Sequence, residues 1–204
     1  RTVKAYRLLA EKVNYPLHLG VTEAGAHVTG AIKTTAAFTL LLTEGIGDTI
    51  RVSLAASPLE EVKVGYEILK SLELRHHGVN VVACPTCGRI QIDVENLANR
   101  LEKGLAHIKF PITVAVMGCE VNGPGEAKDA DIGIAGGKGE GMIFKKGEKY
   151  RKVSEENFYD VVVEEVEKMA AEGSLAAQAE SNKEDEIWEP PLPEGLKIQL
   201  PVIP

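Results

Sequence analysis

With 204 residues and a formal net charge of −7, the chain has room for one large or two small domains and buries roughly 70% of its unfolded surface. The acidic balance argues against nucleic-acid binding, which needs a basic face to neutralise phosphates; only residues 138–152 offer one, and that Lys/Arg cluster reads as a solvated hairpin. No apolar run approaches the ~20 residues that span a bilayer and no signal-peptide pattern opens the chain, so no membrane partner is expected and the chain is read as cytoplasmic.

Residues 2–14 place Val3, Tyr6, Leu8, Leu9 and Val13 at helical spacing, and the apolar run Leu17–Val21 reads as a strand ending in Thr22-Glu23-Ala24-Gly25. Residues 31–42 form a strongly apolar helix closed by Glu44-Gly45, residues 49–54 alternate as a strand, and Pro58 opens a helix to about Leu72. Helix and strand alternating in this way imply an α/β fold of parallel strands with helical crossovers, as in a doubly wound sheet or a (β/α) barrel. Catalytic groups in such folds sit beyond the carboxyl ends of strands, here Thr22–Gly25 and Ser53–Ala56. Two βα units are too few to close a barrel, and the first helix opens without a cap, so a piece of a larger protein is expected.

The rhythm changes at Leu74-Arg-His-His-Gly78, which divides the chain into residues 1–75, residues 76–171 and a tail, residues 172–204. The second part reads as a strand at 79–83, a helix at 94–105 behind Asp93 as N-cap, and a strand at 112–117. Further strands are predicted at 132–135, 142–144 and 149–153, followed by a helix capped by Ser154 and running to about Ala171. The Ala/Gly/Ser/Gln/Glu-rich residues 172–185 read as flexible, and the proline-rich residues 188–204 as extended.

The chemistry is concentrated in the three cysteines. Cys84-Pro-Thr-Cys87 is followed after thirty-one residues by Cys119, inside Cys119-Glu-Val-Asn-Gly-Pro-Gly-Glu126. A C-x-x-C turn suits a soft metal centre or a redox disulfide, and a third cysteine beside a Gly-Pro-Gly loop favours the metal. The set is one sulfur short of a four-cysteine zinc or iron–sulfur site, so a histidine, a carboxylate or substrate must complete it. Glu126 is the nearest acid on that loop after Glu120. Both cysteine loops follow predicted strands and so can meet at one sheet edge.

Four blocks carry a resemblance. Leu17-His-Leu-Gly-Val-Thr-Glu-Ala-Gly25, Gly45-Ile-Gly-Asp-Thr-Ile-Arg-Val-Ser-Leu54, Ala83-Cys-Pro-Thr-Cys87 and Gly118-Cys-Glu-Val-Asn-Gly-Pro-Gly-Glu126 closely resemble the (E)-4-hydroxy-3-methylbut-2-enyl diphosphate synthases, over about residues 1–170. The resemblance implies the last two βα units of a TIM-type barrel followed by a small α+β iron–sulfur domain like a sulfite/nitrite reductase half-domain. It implies a [4Fe-4S] cluster held by Cys84, Cys87, Cys119 and Glu126, and reductive opening of 2-C-methyl-D-erythritol 2,4-cyclodiphosphate with electrons from ferredoxin or flavodoxin. A carboxylate among thiolates is the ligand most readily exchanged, which marks where substrate enters. Asn122 is implied as a hydrogen-bond partner of the bound intermediate and Glu23 as the acid/base residue at the barrel mouth. Arg51, Lys33 and His18 suit the diphosphate. A head-to-tail homodimer is implied, with the cluster domain of one subunit closing over the barrel of the other, so that this chain alone is inactive.

Plainer readings stand beside these. Glu23 also fits the first turn of the following helix, Arg51 an ion pair on its strand, and His18 the core of an apolar strand. His76-His77 reads as exposed linker, and Gly136-Gly-Lys-Gly139 lacks the spacing of a phosphate loop and reads as a turn. The alternative function is a non-catalytic metal-binding or electron-relay module.

Overall fold

The computed structural model describes residues 1–121, 125 and 127–181. Helix α1 (Thr2–Ala10), strand β1 (His18–Gly20), helix α2 (His27–Leu42), strand β2 (Thr49–Arg51) and helix α3 (Pro58–Ser71) make the first unit. β1 and β2 pair in parallel, with His18 opposite Thr49, Leu19 opposite Ile50 and Gly20 opposite Arg51. The pair is anchored at its start by Asp48, whose carboxylate accepts the Leu17 N–H at 2.6 Å while the Asp48 N–H donates to the Leu17 carbonyl at 2.9 Å.

Alternation along such short strands sends successive side chains to opposite faces. Leu19 is fully buried against Phe38, Leu41 and Ile68 from the helices. The other face carries His18, Gly20, Thr49 and Arg51, and no helix among the described residues covers it. α1 closes the helical layer: the Tyr6 hydroxyl donates to the His18 carbonyl at 2.7 Å, and the Arg7 guanidinium grips both carboxylate oxygens of Glu44 at the end of α2.

Several element limits differ from those predicted. α1 stops at Ala10 rather than residue 14; beyond it the Lys12 N–H donates to the Leu9 carbonyl at 2.9 Å, a tighter turn than the α-helix makes. α2 starts at His27 rather than 31. β2 stops at Arg51 because the Leu54 N–H leaves the ladder for the Glu61 carboxylate, at 2.8 Å. α3 begins as expected at Pro58, with Ser57 Oγ accepting the Leu59 N–H.

The second unit is a five-stranded sheet in sequential order: β3 (Val79–Ala83), β4 (Ile112–Met117), β5 (Ile132–Gly136), β6 (Glu140–Lys145) and β7 (Glu148–Ser154). The first three strands are parallel, and β5–β6–β7 form an antiparallel meander. Helix α4 (Val94–Gly104) crosses from β3 to β4, its N-terminus capped by Asp93 Oδ1 accepting the Asn96 N–H at 3.0 Å. Helix α5 (Phe158–Ser181) packs beside it. Together they bury the sheet face that carries Val114, Val116, Ile132, Ile134 and Ile143.

The opposite face has smaller residues, Ala115, Met117 and Ala135, with Phe144. Its cover is the connection from β4 to β5, whose 3-10 turn Ala127–Asp129 packs on both strands and whose Ala130 is buried among those residues. Asp131 fixes the end of that connection, its carboxylate accepting the Thr113 N–H at 2.8 Å. On the free edge, β7 exposes Lys149, Tyr150, Arg151 and Lys152, a charged strip that guards the unpaired strand against further pairing. The solvated-hairpin reading of residues 138–152 agrees with this.

Two expectations at the chain's end need correction. Ser154 precedes a 3-10 turn, Glu155–Asn157, rather than α5 itself, which opens at Phe158. α5 continues ten residues beyond Ala171, through the Ala/Glu/Gln-rich stretch read as flexible, because those residues are good helix formers. Residues 182–204, read as flexible and then extended, lie outside the described residues. No helix among the described residues is long and apolar enough to cross a membrane.

Candidate metal centre and strand-end site

The C-x-x-C loop leaves the carboxyl end of β3, and Cys119 stands two residues past the end of β4. These strands are parallel neighbours, so the two loops emerge side by side from one sheet edge. Cys84 remains in the ladder: its N–H donates to the Val116 carbonyl at 3.1 Å, and its Sγ accepts the Gly118 N–H at 3.2 Å. The Gln91 N–H donates to the Gly118 carbonyl at 2.8 Å, lacing the first loop to the second. Glycine is required at 118, because a Cβ there would stand 2.8 Å from the side chains of both Ile90 and Val94.

The three thiols differ in environment. Cys119 is buried, Cys84 half-buried and Cys87 exposed. The Arg89 backbone N–H, and then its guanidinium, hold the Cys87 thiol below the usual cysteine range, favouring the thiolate that binds metal. Arg89 was not singled out in the sequence, although a cation two residues past a thiol is a legible signal for such a shift.

Soft sulfur donors, a backbone N–H aimed at Cys84 Sγ, and a thiolate-favouring cation fit a thiophilic metal group by donor chemistry. Among the described residues, no group of three or more His, Cys, Asp and Glu side chains is gathered closely enough to hold a metal ion. Glu126 and Asn122, the remaining residues predicted on the Cys119 loop, lie outside the described residues.

The other predicted residues belong to the first unit. Glu23 is exposed in the loop after β1, with φ of 57°. A non-glycine residue in the left-handed region costs of order 1 kcal/mol and persists only where its surroundings impose it. Here the neighbouring Gly25 carbonyl accepts the Ala55 N–H at 2.9 Å, tying the loop after β1 to the loop after β2. α2 begins only at His27, so Glu23 lies outside its first turn.

His18 and Arg51 share the uncovered strand face, and both are exposed, so His18 is not a core histidine. Its Nδ1 is 2.7 Å from Thr49 Oγ1. Lys33 lies on the exposed flank of α2, in the helical layer, and the structure does not bring it onto the strand face with His18 and Arg51. His77, read as exposed linker, is instead half-buried and stacks on Tyr66 with ring centroids 4.1 Å apart.

Comparison with known proteins matches both units. Residues 1–66 match the GcpE TIM-barrel domain, and residues 80–168 match the GcpE protein C-terminal domain. The chain is 57% identical over 172 residues to a 4-hydroxy-3-methylbut-2-en-1-yl diphosphate synthase (flavodoxin) of Geobacter sulfurreducens, covering 84% of this chain and 49% of that relative. Proteins of the same name from Symbiobacterium thermophilum and Clostridium acetobutylicum are 56% and 59% identical over 170 and 167 residues. Those alignments cover 83% and 82% of this chain and 46% and 48% of the relatives. The chain thus spans about half the length of the curated relatives it matches.

Proposed function

The chain belongs to the GcpE family, and from that premise we propose that it supplies the cluster-bearing part of an oxidoreductase of isoprenoid biosynthesis. The reaction is the reductive opening of 2-C-methyl-D-erythritol 2,4-cyclodiphosphate to (E)-4-hydroxy-3-methylbut-2-enyl diphosphate. Two electrons and two protons enter, the carbon–oxygen bond to one phosphate breaks, a carbon–carbon double bond forms, and one hydroxyl leaves as water. The electrons come from an external carrier, flavodoxin or ferredoxin; flavodoxin appears in the names of the relatives.

Cys84, Cys87, Cys119 and Glu126 would hold the [4Fe-4S] group, which supplies single-electron transfer and a Lewis-acidic iron when bound. The protein's own part is to deprotonate and place those ligands. Arg89 favours the Cys87 thiolate, the Gly118 N–H donates to Cys84 Sγ, and Glu126 contributes the one oxygen donor, the most readily displaced. Asn122 hydrogen-bonds the organic intermediate. Glu23 delivers a proton to the departing oxygen. Arg51 and His18 bind the diphosphate, with Lys33 as an outlying cation.

Under this reading residues 1–75 are barrel, residues 76–171 a sulfite/nitrite-reductase-like cluster domain and residues 172–204 a tail. The complete site is composite, the cluster domain of one subunit facing the barrel of the other in a homodimer. The observation that carries the reading is the emergence of both cysteine loops from neighbouring parallel strand ends, Cys84 Sγ already hydrogen-bonded to the second loop.

Anaerobic reconstitution with iron and sulfide tests it. A brown protein with a paramagnetic signal on reduction is expected, and Cys84→Ser should lose both; equal iron uptake by the two proteins would sink the reading. Glu126→Ala separates an enzyme from a passive metal module. The enzyme reading expects lost turnover or cluster integrity with the cysteine loops still folded, whereas a structural site loses stability in proportion to metal. The chain by itself is expected to give no product with reduced flavodoxin, and robust turnover would refute the composite site.

A further inference from the structure

Gly20 is the one position on the uncovered strand face without a side chain, and it stands in register with Arg51 on the neighbouring strand. A Cβ built on Gly20 would lie 3.0 Å from Arg51 Nη2, 3.3 Å from Nε and 3.5 Å from Cζ. The guanidinium therefore crosses from β2 and rests over the backbone of β1, in the space a side chain would occupy. That puts the cation at the carboxyl end of β1, three residues from Glu23, rather than over its own strand. His18 precedes Gly20 by two positions, so it sits on the same face about 7 Å along the strand. Its ring is fixed by the 2.7 Å contact with Thr49 Oγ1.

We propose that Gly20 is a positioning residue for an anion site: its missing side chain lets the Arg51 guanidinium lie across β1, where Arg51 and His18 together take the two phosphates of a diphosphate. This rests on the reading of the strand face as the diphosphate-binding part of the enzyme, and it assigns a role to a residue that never touches the ligand. Arginine suits the task because its planar fork can lie flat on the strand while presenting paired N–H donors to phosphate oxygens. Gly20→Ala adds one carbon, too little to disturb the core behind the strand, and its effect falls on Arg51.

The test is calorimetric titration of the full chain with inorganic pyrophosphate at low ionic strength, with orthophosphate in parallel. Pyrophosphate should bind at least about tenfold more tightly than orthophosphate; equal affinities, or no pyrophosphate binding, overturn the proposal. Arg51→Ala should weaken pyrophosphate binding about tenfold or more, as expected for lost charge-assisted hydrogen bonds. Gly20→Ala should weaken it severalfold in the wild-type background and not at all in the Arg51→Ala background, because both changes remove the same contact. Unchanged affinity in Gly20→Ala, or an equal loss in both backgrounds, overturns the proposal. Should Gly20→Ala not fold, Arg51→Lys decides: lysine has no planar group to lay over Gly20, and wild-type affinity in that variant overturns it. None of these titrations requires metal, so their failure leaves the iron-uptake test of the cluster reading intact and the two are distinguishable.

Discussion

The two units solve the problem of burying a parallel sheet very differently. In the unit built on β3 to β7, α4 and α5 cover one face and the β4–β5 connection covers the other, so both sides of the sheet enter a core. In the unit built on β1 and β2, helices cover one face only, and the other is left to His18, Thr49 and Arg51. Large apolar side chains are correspondingly exposed across the first unit, Tyr15, Val28, Ile32, Leu59 and Val62 among them. A sheet packed on both faces at its centre has little room there for a polar ligand except at its strand ends, which is where the cysteines are. A sheet open on one face can offer that face itself.

Cutting equal volumes from the two cores would break this comparison most directly. Leu101 in α4 and Leu41 in α2 are both fully buried. Leu101→Ala should cost toward the upper part of the 2–5 kcal/mol range and Leu41→Ala toward the lower, because the smaller core has room to collapse around the cavity. Denaturant unfolding followed separately for each unit measures the difference, and equal losses would show that the open face does not soften the first core.

A smaller effect is expected from the one buried charge among the described residues. Glu165 on α5 is 3% exposed and pairs with Lys145, while Tyr150 Oη donates to Glu165 Oε1 at 3.3 Å. Burial works against its ionisation, but the Lys145 ammonium, with help from Lys168 and Tyr150, outweighs it and holds the carboxyl below its ordinary range. A depressed folded value means that the stabilisation is present above the unfolded carboxylate value of about 4.3. It is lost as pH falls through the folded value. Lys145→Met should cost about 1–3 kcal/mol at neutral pH and move the onset of acid unfolding to higher pH, as thermal melts from pH 3 to 7 would record. An unshifted onset would mean that Lys168 and Tyr150 suffice.

The smallest expected effect sharpens the contrast from the open side. Glu23→Gly should relieve the left-handed backbone at φ of 57° and change stability by no more than about 1 kcal/mol, the relief being offset by the freedom glycine adds to the unfolded chain. Under the proposed function, turnover of the complete enzyme should nonetheless fall with the lost carboxylate. A variant with full activity would leave Glu23 a loop residue only.

Much of this arrangement was legible in the sequence, because it depends on local pattern. Hydrophobic runs and helical spacing gave the alternation of elements, Pro58 and Asp93 gave two helix starts, and the placement of each cysteine just past a strand followed from the runs before it. What was hidden depends on tertiary contact. α2 starts four residues early despite Gly30, which the helix tolerates because any larger residue would strike Leu54 at 2.5 Å. His18 looked like a core residue because its neighbours are apolar, and only the one-sided cover of β1 shows otherwise. The crossing of Arg51 over Gly20 joins residues thirty-one positions apart, and no single-strand pattern contains it.

The β4–β5 connection carries Cys119 at its start and, through Ala130, closes the second face of the sheet at its end. If Cys119 is a ligand as proposed, binding there and the integrity of that small core are coupled through one connection. Removing a group bound there would then register first as solvent exchange around Ala115 and Ala135, while the helical side of the same sheet stays protected.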